Sequence, residues 1–183
     1  MSKILVDTID TRSGTSTLTL GSSNAGTIAL GSGDVQSNFL YPAFEAYLGS
    51  STTLSDNTQT KLPANTETYD SNSCYDTSTY KFTPTVAGKY LCYGQVNIQG
   101  GTINTIAQIY LRKNGSTVKM SIDRYAGDGD IIAQVQTVID LNGSSDYLEA
   151  YVRQTTGGSK SAFDTNSFFF FLDRKSTRLN SSH

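Results

Sequence analysis

The feature that most constrains the fold is the strict alternation in Ile131–Leu141, which runs directly into the dipeptide Asn142–Gly143. Every second residue from Ile131 onward is apolar or a threonine, and the opposite positions include Gln134, Gln136 and Asp140. A period of two residues is typical of a β-strand with one buried face. Asn-Gly is a strong hairpin signal because both residues accept positive φ. The pattern therefore predicts a half-buried strand that leads into a hairpin.

Similar strand-like segments recur at short spacing through most of the chain. The other predicted strands are Ala43–Leu48, Thr79–Thr83, Lys89–Ile98, Ile106–Lys113, Tyr147–Arg153 and Phe168–Leu172. The sequence PTVAG is expected to form the turn between Thr79–Thr83 and Lys89–Ile98, and Asn114–Gly115 a hairpin after Ile106–Lys113. Several short strands with regular turn signals predict an all-β sandwich or barrel.

The strand Lys89–Ile98 also predicts which residues face the core. One face carries Tyr90, Cys92, Gly94, Val96 and Ile98, and the other carries Leu91, Tyr93, Gln95 and Asn97. On the first face Cys92 would act as a small hydrophobic residue. A disulfide between Cys74 and Cys92 would suit an exported protein. The predicted hairpin does not place the two opposite each other, however, and two reduced thiols are the favoured interpretation.

Residues 1–38 have a different character from the remainder. TLTLGSSNAG (Thr17–Gly26) and TIALGSGDVQ (Thr27–Gln36) share a pattern of threonine, aliphatic, small residue, leucine, glycine and serine. Each unit is too small to bury its own apolar side and needs neighbouring copies or chains. We expect residues 1–38 to form a β-repeat stalk rather than a flexible Gly/Ser linker, and residues 39–172 to form the head domain.

The last eleven residues, Asp173–His183, are interpreted as an artefact. Their sequence, DRKSTRLNSSH, back-translates into a common sequencing adapter, and a solvated basic tail is the alternative. The tail carries a net charge of +2 (three basic residues against Asp173), and because the whole chain is −2, the remainder is −4. His183 is the only histidine, so the remainder cannot form a Ser–His or Cys–His nucleophile pair. An acidic body argues against nucleic acid as a partner, and no apolar run approaches the length of a membrane span.

The segment Tyr75–Val96, YDTSTYKFTPTVAGKYLCYGQV, resembles the signature of the globular domain of complement component 1q, a branch of the tumour-necrosis-factor-like superfamily. Phe82, Gly88 and Tyr90 fit the family pattern, and Cys92 stands where the family usually has phenylalanine. The likeness continues in AFEAYL, IYLRKNG, VIDLNGSSDYLEAYV and FFFFL, and spans nearly all of residues 42–172. The resemblance implies a ten-strand jelly roll that assembles as a homotrimer.

The four consecutive phenylalanines fit this expectation. Phe168, Phe170 and Leu172 would lie on one side of a strand, and Phe169 and Phe171 on the other. One side would fill the core, and the other would be covered at a trimer axis, because an exposed aromatic patch marks an interface. A monomer whose last strand is covered by loops is the alternative. With Tyr90 and Cys92, these residues form the predicted trimer interface or core.

Other candidate sites rest on weaker patterns. Asp128 and Asp130 in GDGD could offer carboxylates to calcium, but a turn is the favoured interpretation, and no other cofactor is predicted. The loops Gly49–Lys61, Glu67–Ser73 and Gln154–Ala162 are rich in small polar residues, which with tyrosine make adaptable contact surfaces. The candidate receptor contacts are Tyr69, Tyr75, Tyr125, Thr155, Thr156 and Lys160.

These features predict a non-enzymatic trimeric binding module. The β-rich repeat resembles the stalk of a bacteriophage tail fibre, so the head is expected to be a virion fibre tip that binds a host-surface glycan or protein receptor. One alternative is a secreted bacterial or animal recognition or matrix domain, which would be extracellular. Another is a purely structural head that registers and terminates the stalk of a virion fibre.

Overall fold

The computed structural model describes residues 42–127, 129–164 and 167–173, the last strand by its backbone alone. These ranges contain no helix, and therefore none long and apolar enough to cross a membrane. The predicted stalk, Asp128 and residues 174–183 lie outside them. The strands are β1 (Phe44–Tyr47), β2 (Thr52–Leu54), β3 (Thr60–Lys61), β4 (Thr66–Asp70), β5 (Tyr75–Asp76), β6 (Lys81–Phe82), β7 (Ala87–Gly101), β8 (Ile106–Lys113), β9 (Ser116–Arg124), β10 (Gly129–Asn142), β11 (Leu148–Gln154), β12 (Lys160–Ala162) and β13 (Phe168–Asp173).

The strands form two sheets, and each named strand pair is antiparallel. One sheet has the order β2-β12-β7-β13-β1-β4, with β10 on the other side of β7, and is called the seven-stranded sheet here. The other has the order β5-β6-β11-β8-β9, with β3 beside β11, and is called the six-stranded sheet. Buried residues from both sheets form one hydrophobic core. The result is the all-β jelly-roll sandwich that the sequence predicts, with thirteen described strands instead of the ten implied, several of them only two or three residues long.

The long strand β7 organises the seven-stranded sheet and has the predicted phase. Tyr90, Cys92, Val96 and Ile98 are fully buried. Along its whole length β7 pairs with β10, whose alternate residues from Ile131 to Leu141 also enter the core. The alternation read from the sequence is therefore confirmed in both strands.

An aromatic cluster ties the two sheets together. Phe44 of β1 stacks on Tyr75 of β5 at 4.3 Å between ring centroids and on Phe82 of β6 at 4.9 Å. The Phe82 ring meets Tyr90 of β7 edge-on at 5.6 Å. Aromatic pairs at these separations each add about 0.5–1.5 kcal/mol to the stabilisation from buried area. The cluster therefore fixes how the sheets pack at this end of the core.

The predicted hairpin at Asn114–Gly115 is confirmed. It joins β8 to β9, and the two residues have φ values of 52° and 80°. Both lie in the left-handed region, as a two-residue hairpin turn of this type requires. Asn114 also fixes the neighbouring loop, because its Oδ1 accepts the N–H of Tyr147 at 3.0 Å.

The other two predicted turns are wrong as hairpins, because each connects strands of different sheets. PTVAG follows β6, in the six-stranded sheet, and its last two residues begin β7, in the seven-stranded sheet. Asn142–Gly143 likewise leads from β10 to β11 across the sandwich. Asn142 Oδ1 accepts the backbone N–H groups of Ser144, Ser145 and Asp146, each at 3.0 Å, and so caps a loop. An asparagine capping its own loop produces the same sequence signal as a hairpin turn.

The three segments predicted as receptor loops are partly strands. The first contains β2 and β3, the second contains Glu67–Asp70 of β4, and the third contains Lys160–Ala162 of β12. Their polar composition is misleading because β2, β3, β4 and β12 are short strands with few buried side chains. A short, half-exposed strand needs no apolar run, so composition alone does not separate it from a loop.

Candidate functional site

The side of the seven-stranded sheet that faces away from the core is called the outer face here. On β7 it carries Leu91, Tyr93 and Gln95, and on β10 it carries Ile132, Gln134, Gln136 and Val138. Ile132 is 45% exposed and Val138 is 47% exposed, although Ile131, Ala133 and Ile139 beside them are buried. Apolar side chains grouped on an uncovered sheet face are typical of a contact surface.

The centre of the outer face is polar and hydrogen-bonded. Tyr93 Oη donates to Gln95 Oε1 at 3.0 Å, and Gln134 Nε2 donates to the same oxygen at 2.6 Å. A cavity of about 220 Å³ lies beside this network, lined by Tyr93, Gln134, Val135 and Gln136. Partial burial raises the pKa of the Tyr93 hydroxyl, which stays protonated and can donate this hydrogen bond at neutral pH.

The register of β13 assigns the phenylalanine run to the two sides of the sheet. Phe169 pairs with Gly94 and Phe171 with Cys92, whereas Phe168 pairs with Gln95, Phe170 with Tyr93 and Leu172 with Leu91. Residues that pair across antiparallel strands share a face. We call Phe169 and Phe171 the core-register pair, and Phe168 and Phe170 the outer-register pair. The sequence predicts two faces; in the register Phe169 and Phe171 pair with buried positions of β7, and the outer-register pair pairs with half-buried ones.

A second apolar surface lies on the edge strand β9. Val118, Met120 and Ile122 are 45%, 41% and 50% exposed, respectively. Among the described strands β9 hydrogen-bonds only to β8, so one edge of it is unpaired. A long edge strand with exposed apolar side chains is a surface that natural proteins usually cover. We call these three residues the β9 edge.

Three of the predicted receptor contacts lie at the end of the sandwich where β7 ends, at Gly101. Tyr125 exchanges backbone hydrogen bonds with Thr105 and Asn104, each at 3.0 Å. Thr155 is held by Ile106 of β8, whose N–H donates to the Thr155 hydroxyl at 3.1 Å. Lys160 lies beside Gly100. The structure thus brings Tyr125, Thr155 and Lys160 to one end.

The remaining three predicted contacts have different surroundings. Tyr75 is 7% exposed and its hydroxyl donates to Ala64 O at 2.8 Å, so it is a core residue and not a receptor contact. Burial raises the pKa of its hydroxyl. Thr156 is bound to Gln154 Oε1 through both its N–H, at 2.7 Å, and its hydroxyl, at 2.6 Å, and so shapes its own loop. Tyr69 is 40% exposed on the edge strand β4, opposite Glu45.

The two calcium candidates are not brought into a described metal site. Asp130 is exposed in strand β10, and its Oδ1 accepts the N–H of Gly100 on the paired strand β7 at 3.2 Å. Asp128 lies outside the described residues. Within the ranges that the structure covers, no three acidic, cysteine or histidine side chains come together as a metal site would require.

Comparison with solved structures identifies the fold. The chain is similar to the globular domain of zebrafish complement 1qA protein, at 15% identity and a TM-score of 0.52, covering 72% of this chain and 95% of that chain. It is also similar to Eiger TNF from S. frugiperda, at 14% identity and a TM-score of 0.51, over 79% of this chain and 98% of that one. A third similar structure is murine APRIL, at 14% identity and a TM-score of 0.55, covering 73% of this chain and 99% of that chain. No protein-family model matches the chain, and no curated protein matches it in sequence.

The head therefore has a complement 1q/TNF-like jelly-roll fold, as the sequence resemblance implies. The described strand order also agrees with such a sandwich, because the chain crosses repeatedly between the seven-stranded and six-stranded sheets. At 14–15% identity, the likeness establishes the fold. What the chain binds and how it assembles must be argued from its own surfaces.

Proposed function

We propose that the head is a non-enzymatic homotrimeric binding module and forms the tip of a bacteriophage tail fibre. The observation that carries the trimer is the outer face of the seven-stranded sheet. It exposes Ile132 and Val138, and the outer-register pair belongs to the same face. Burying a side chain of this size stabilises an interface by about 1.5–3 kcal/mol. A repeated contact between copies would cover all of these positions.

The β9 edge supports a closed ring of copies. A cyclic trimer uses heterologous contacts, in which one surface of each copy meets a different surface of the next. The outer face and the β9 edge are two such surfaces, since they belong to different sheets. Each exposes apolar side chains of matching character. The same geometry would cover the unpaired edge of β9 and so protect it from non-specific strand pairing.

The attachment role rests on residues 1–38 together with the head. Two copies of a ten-residue sequence repeat precede the jelly roll, and repeats of this size need neighbouring copies or chains to bury their apolar sides. A trimeric head would hold three such chains together at one end. In a fibre of this kind the exposed part of the head meets the host surface, where a glycan or a protein receptor would be bound.

A catalytic role is not proposed, because the residues offer little chemistry. The only histidine is His183, and no pair of carboxylates stands out in the sequence for acid–base work on a glycosidic bond. The most strongly shifted pKa values in the described residues have structural causes. The pKa of Asp76 is lowered because its carboxylate accepts hydrogen bonds from the side chains and N–H groups of Ser78 and Thr79. Such a carboxylate shapes a turn.

Two measurements test the proposal. Sedimentation equilibrium of the full chain at micromolar concentration should give the mass of three chains, and a monomer would overturn the trimer. Binding of the labelled chain to a glycan array and to cultured bacteria should then detect a surface ligand. A trimer that binds no array or cell, encoded beside tail-assembly genes, would indicate the purely structural head. A trimer encoded beside secreted proteins would indicate the extracellular recognition domain.

A further inference from the structure

The side of the six-stranded sheet that faces away from the core carries two arginines on neighbouring strands, Arg112 of β8 and Arg153 of β11. In the register of these strands Arg112 pairs with Glu149, and Arg153 lies four residues further along β11. The two are therefore about 13 Å apart along the strand direction. Between them is Tyr151, and the Arg112 guanidinium lies over its ring at 3.9 Å. We call Arg112 and Arg153 the arginine pair.

Both guanidinium groups donate to one loop, residues 55–59, and Arg153 Nη1 also donates to Gln108 Oε1 of β8 at 2.7 Å. Arg112 Nη2 donates to Gln59 Oε1. Arg153 donates to Asn57 Oδ1 through Nε, at 2.8 Å, and also through Nη2. The Nε–H and Nη2–H of an arginine point in the same direction and form a fork that matches the two oxygens of a carboxylate. In each arginine the fork meets a single oxygen of a neutral amide.

The fit of these amides is incomplete. Arg112 Nε is buried and has no hydrogen-bond partner among the described residues. One amide oxygen satisfies only half of the Arg112 fork, and a buried donor without a partner costs roughly 1–3 kcal/mol. An unsatisfied buried group in an otherwise well-bonded region calls for an explanation, and an absent ion or ligand is one. A group with two oxygens would satisfy both Nε and Nη2 of Arg112.

Neither arginine of the pair forms an ion pair with a described residue. The ion pairs of the described residues all involve lysines. The nearest candidate, Glu149, is held by Lys61 at 2.6 Å. The acidic residue of the loop itself, Asp56, accepts the N–H of Gly157 at 2.9 Å. Two positive groups therefore lie together on a chain whose net charge is −2.

We propose that this face binds an acidic glycan, whose carboxylate or sulfate groups replace Gln59 and Asn57 on the arginine pair. A linear polymer with an acidic group in each repeat presents charges along a line, as the arginine pair does. The exposed groups around the forks are amides and hydroxyls, including Thr58, and these hydrogen-bond to sugar hydroxyls. The proposal deepens the attachment role above. The outer face of the seven-stranded sheet does not include these residues, and of the two surfaces in the proposed ring only the β9 edge belongs to the same sheet as the arginine pair.

The test is calorimetric titration of the full chain with polygalacturonate oligosaccharides, which carry carboxylates, and with dextran sulfate oligosaccharides, which carry sulfates. One of the two should bind, and neutral dextran should not. Arg112→Gln and Arg153→Gln should each weaken binding about tenfold or more, because a hydrogen-bonded charged group is lost. Arg112→Lys keeps the charge but loses the fork, and should bind nearly as poorly as Arg112→Gln.

The matched control is Arg124→Gln. Arg124 is exposed on β9 and donates to Asn104 O at 3.4 Å, so the same loss of charge there should leave binding unchanged. Gln59→Ala should increase affinity severalfold, since the ligand no longer has to displace the amide. A purely structural role for Gln59 would not produce this gain.

Several results would overturn the proposal. They are equal binding by the native chain and both arginine variants, weaker binding by Gln59→Ala, and tighter binding of polyglutamate than of either glycan, which would indicate an acidic peptide. Thermal melting of each variant shows whether it is folded. Sedimentation of the same samples reports the trimer separately, so that failure of glycan binding and failure of the trimer can be distinguished.

Discussion

Replacing Val138 with aspartate should dissociate the trimer and leave the protomer folded. Val138 is 47% exposed in the protomer, so an interface that covers it gains about half of the 1.5–3 kcal/mol for a fully buried valine, or ~1 kcal/mol per copy. Val138→Asp loses this gain and adds the desolvation of a carboxylate, which costs several kcal/mol per ion. With each 1.4 kcal/mol equal to a factor of ten, each copy should weaken assembly about a thousandfold or more.

The matched control lies three residues earlier on the same strand, with its side chain on the opposite face. Val135 is 3% exposed, so Val135→Ala should lower the free energy of unfolding of the protomer by about 2 kcal/mol, from two lost methyl groups and a small cavity. It should not change the interface directly. Val138→Asp itself should cost the protomer only about 1 kcal/mol or less, because the position is exposed on an edge strand.

Sedimentation equilibrium and thermal melts of the two variants separate these effects. We expect Val138→Asp to sediment as a monomer with a cooperative melt, and Val135→Ala to remain a trimer that melts earlier. A Val138→Asp chain that stays trimeric with an unchanged melt would refute the placement of the interface on the outer face. A native chain that is already monomeric would refute the trimer itself.

Three further predictions concern the core and the chain end. Alanine at both positions of the core-register pair should lower the free energy of unfolding of the protomer by about 3–5 kcal/mol per ring. Aspartate at both positions of the outer-register pair should mainly reduce the sedimenting mass. The reverse outcome would mean that the register of β13 is wrong. Cys92, fully buried with its Sγ donating to Tyr90 O at 3.2 Å, should resist thiol reagents until the protein unfolds, and Cys92→Ser should destabilise by about 1–3 kcal/mol; rapid labelling of the native protein would contradict this. Burial also raises the pKa of this thiol, so the stability that depends on its protonation is complete below the unfolded thiol value of about 8.5 and is lost as the pH rises above it. Denaturant titrations between about pH 7 and 10 should show this loss in the native chain and a smaller loss in Cys92→Ala, which keeps the buried Cys74, whose pKa burial also raises. Removing residues 174–183 should leave the melting temperature essentially unchanged, and resequencing the gene should fail to recover the codons of Asp173–His183; a clean read through them would refute the artefact interpretation.

The sequence predicts the long strands because each of them has one buried face. In β7 and β10 the alternation of apolar and polar residues continues for ten residues or more, and a slip by one position would turn every core residue outward. The burial of Tyr90 and Cys92 follows directly from that phase. The same argument identifies the phenylalanine run as a two-faced strand, but its parity depends on pairing with β7, which is distant in the chain.

The elements that the sequence does not reveal lack this signal. In β9 no residue is buried. The apolar residues Val118, Met120 and Ile122 are exposed, and so are most of the polar residues between them, so the strand has no buried face. β4 has no buried residue, and β2 and β12 have one each, Leu54 and Ala162, so their polar residues resemble a loop. Likewise, a turn residue such as Asn142 does not indicate whether the following strand returns to the same sheet or crosses to the other. Sheet membership is decided by packing between segments far apart in sequence.

The candidate site is only partly visible in the sequence for a related reason. Tyr93, Gln134 and Gln136 lie on the face that the alternation assigns to solvent. On that face only two exposed apolar residues, Ile132 and Val138, suggest a contact surface. The arginine pair gives no local signal, since its two members are distant in the chain and meet through the register of β8 and β11. Hydrogen bonding to residues 55–59 can be seen only once the loop is placed.

The position of β13 has a consequence for how the protein is made. This strand is the last of the described strands to be synthesised, yet it lies between β7 and β1 inside the seven-stranded sheet. While the ribosome is still translating the preceding residues, β1 has no neighbour on that side and β7 presents an open edge. The core can therefore close only after Phe168–Asp173 has left the exit tunnel. A complete outer face, on which the proposed trimer depends, therefore exists only once Phe168–Asp173 has joined the sheet.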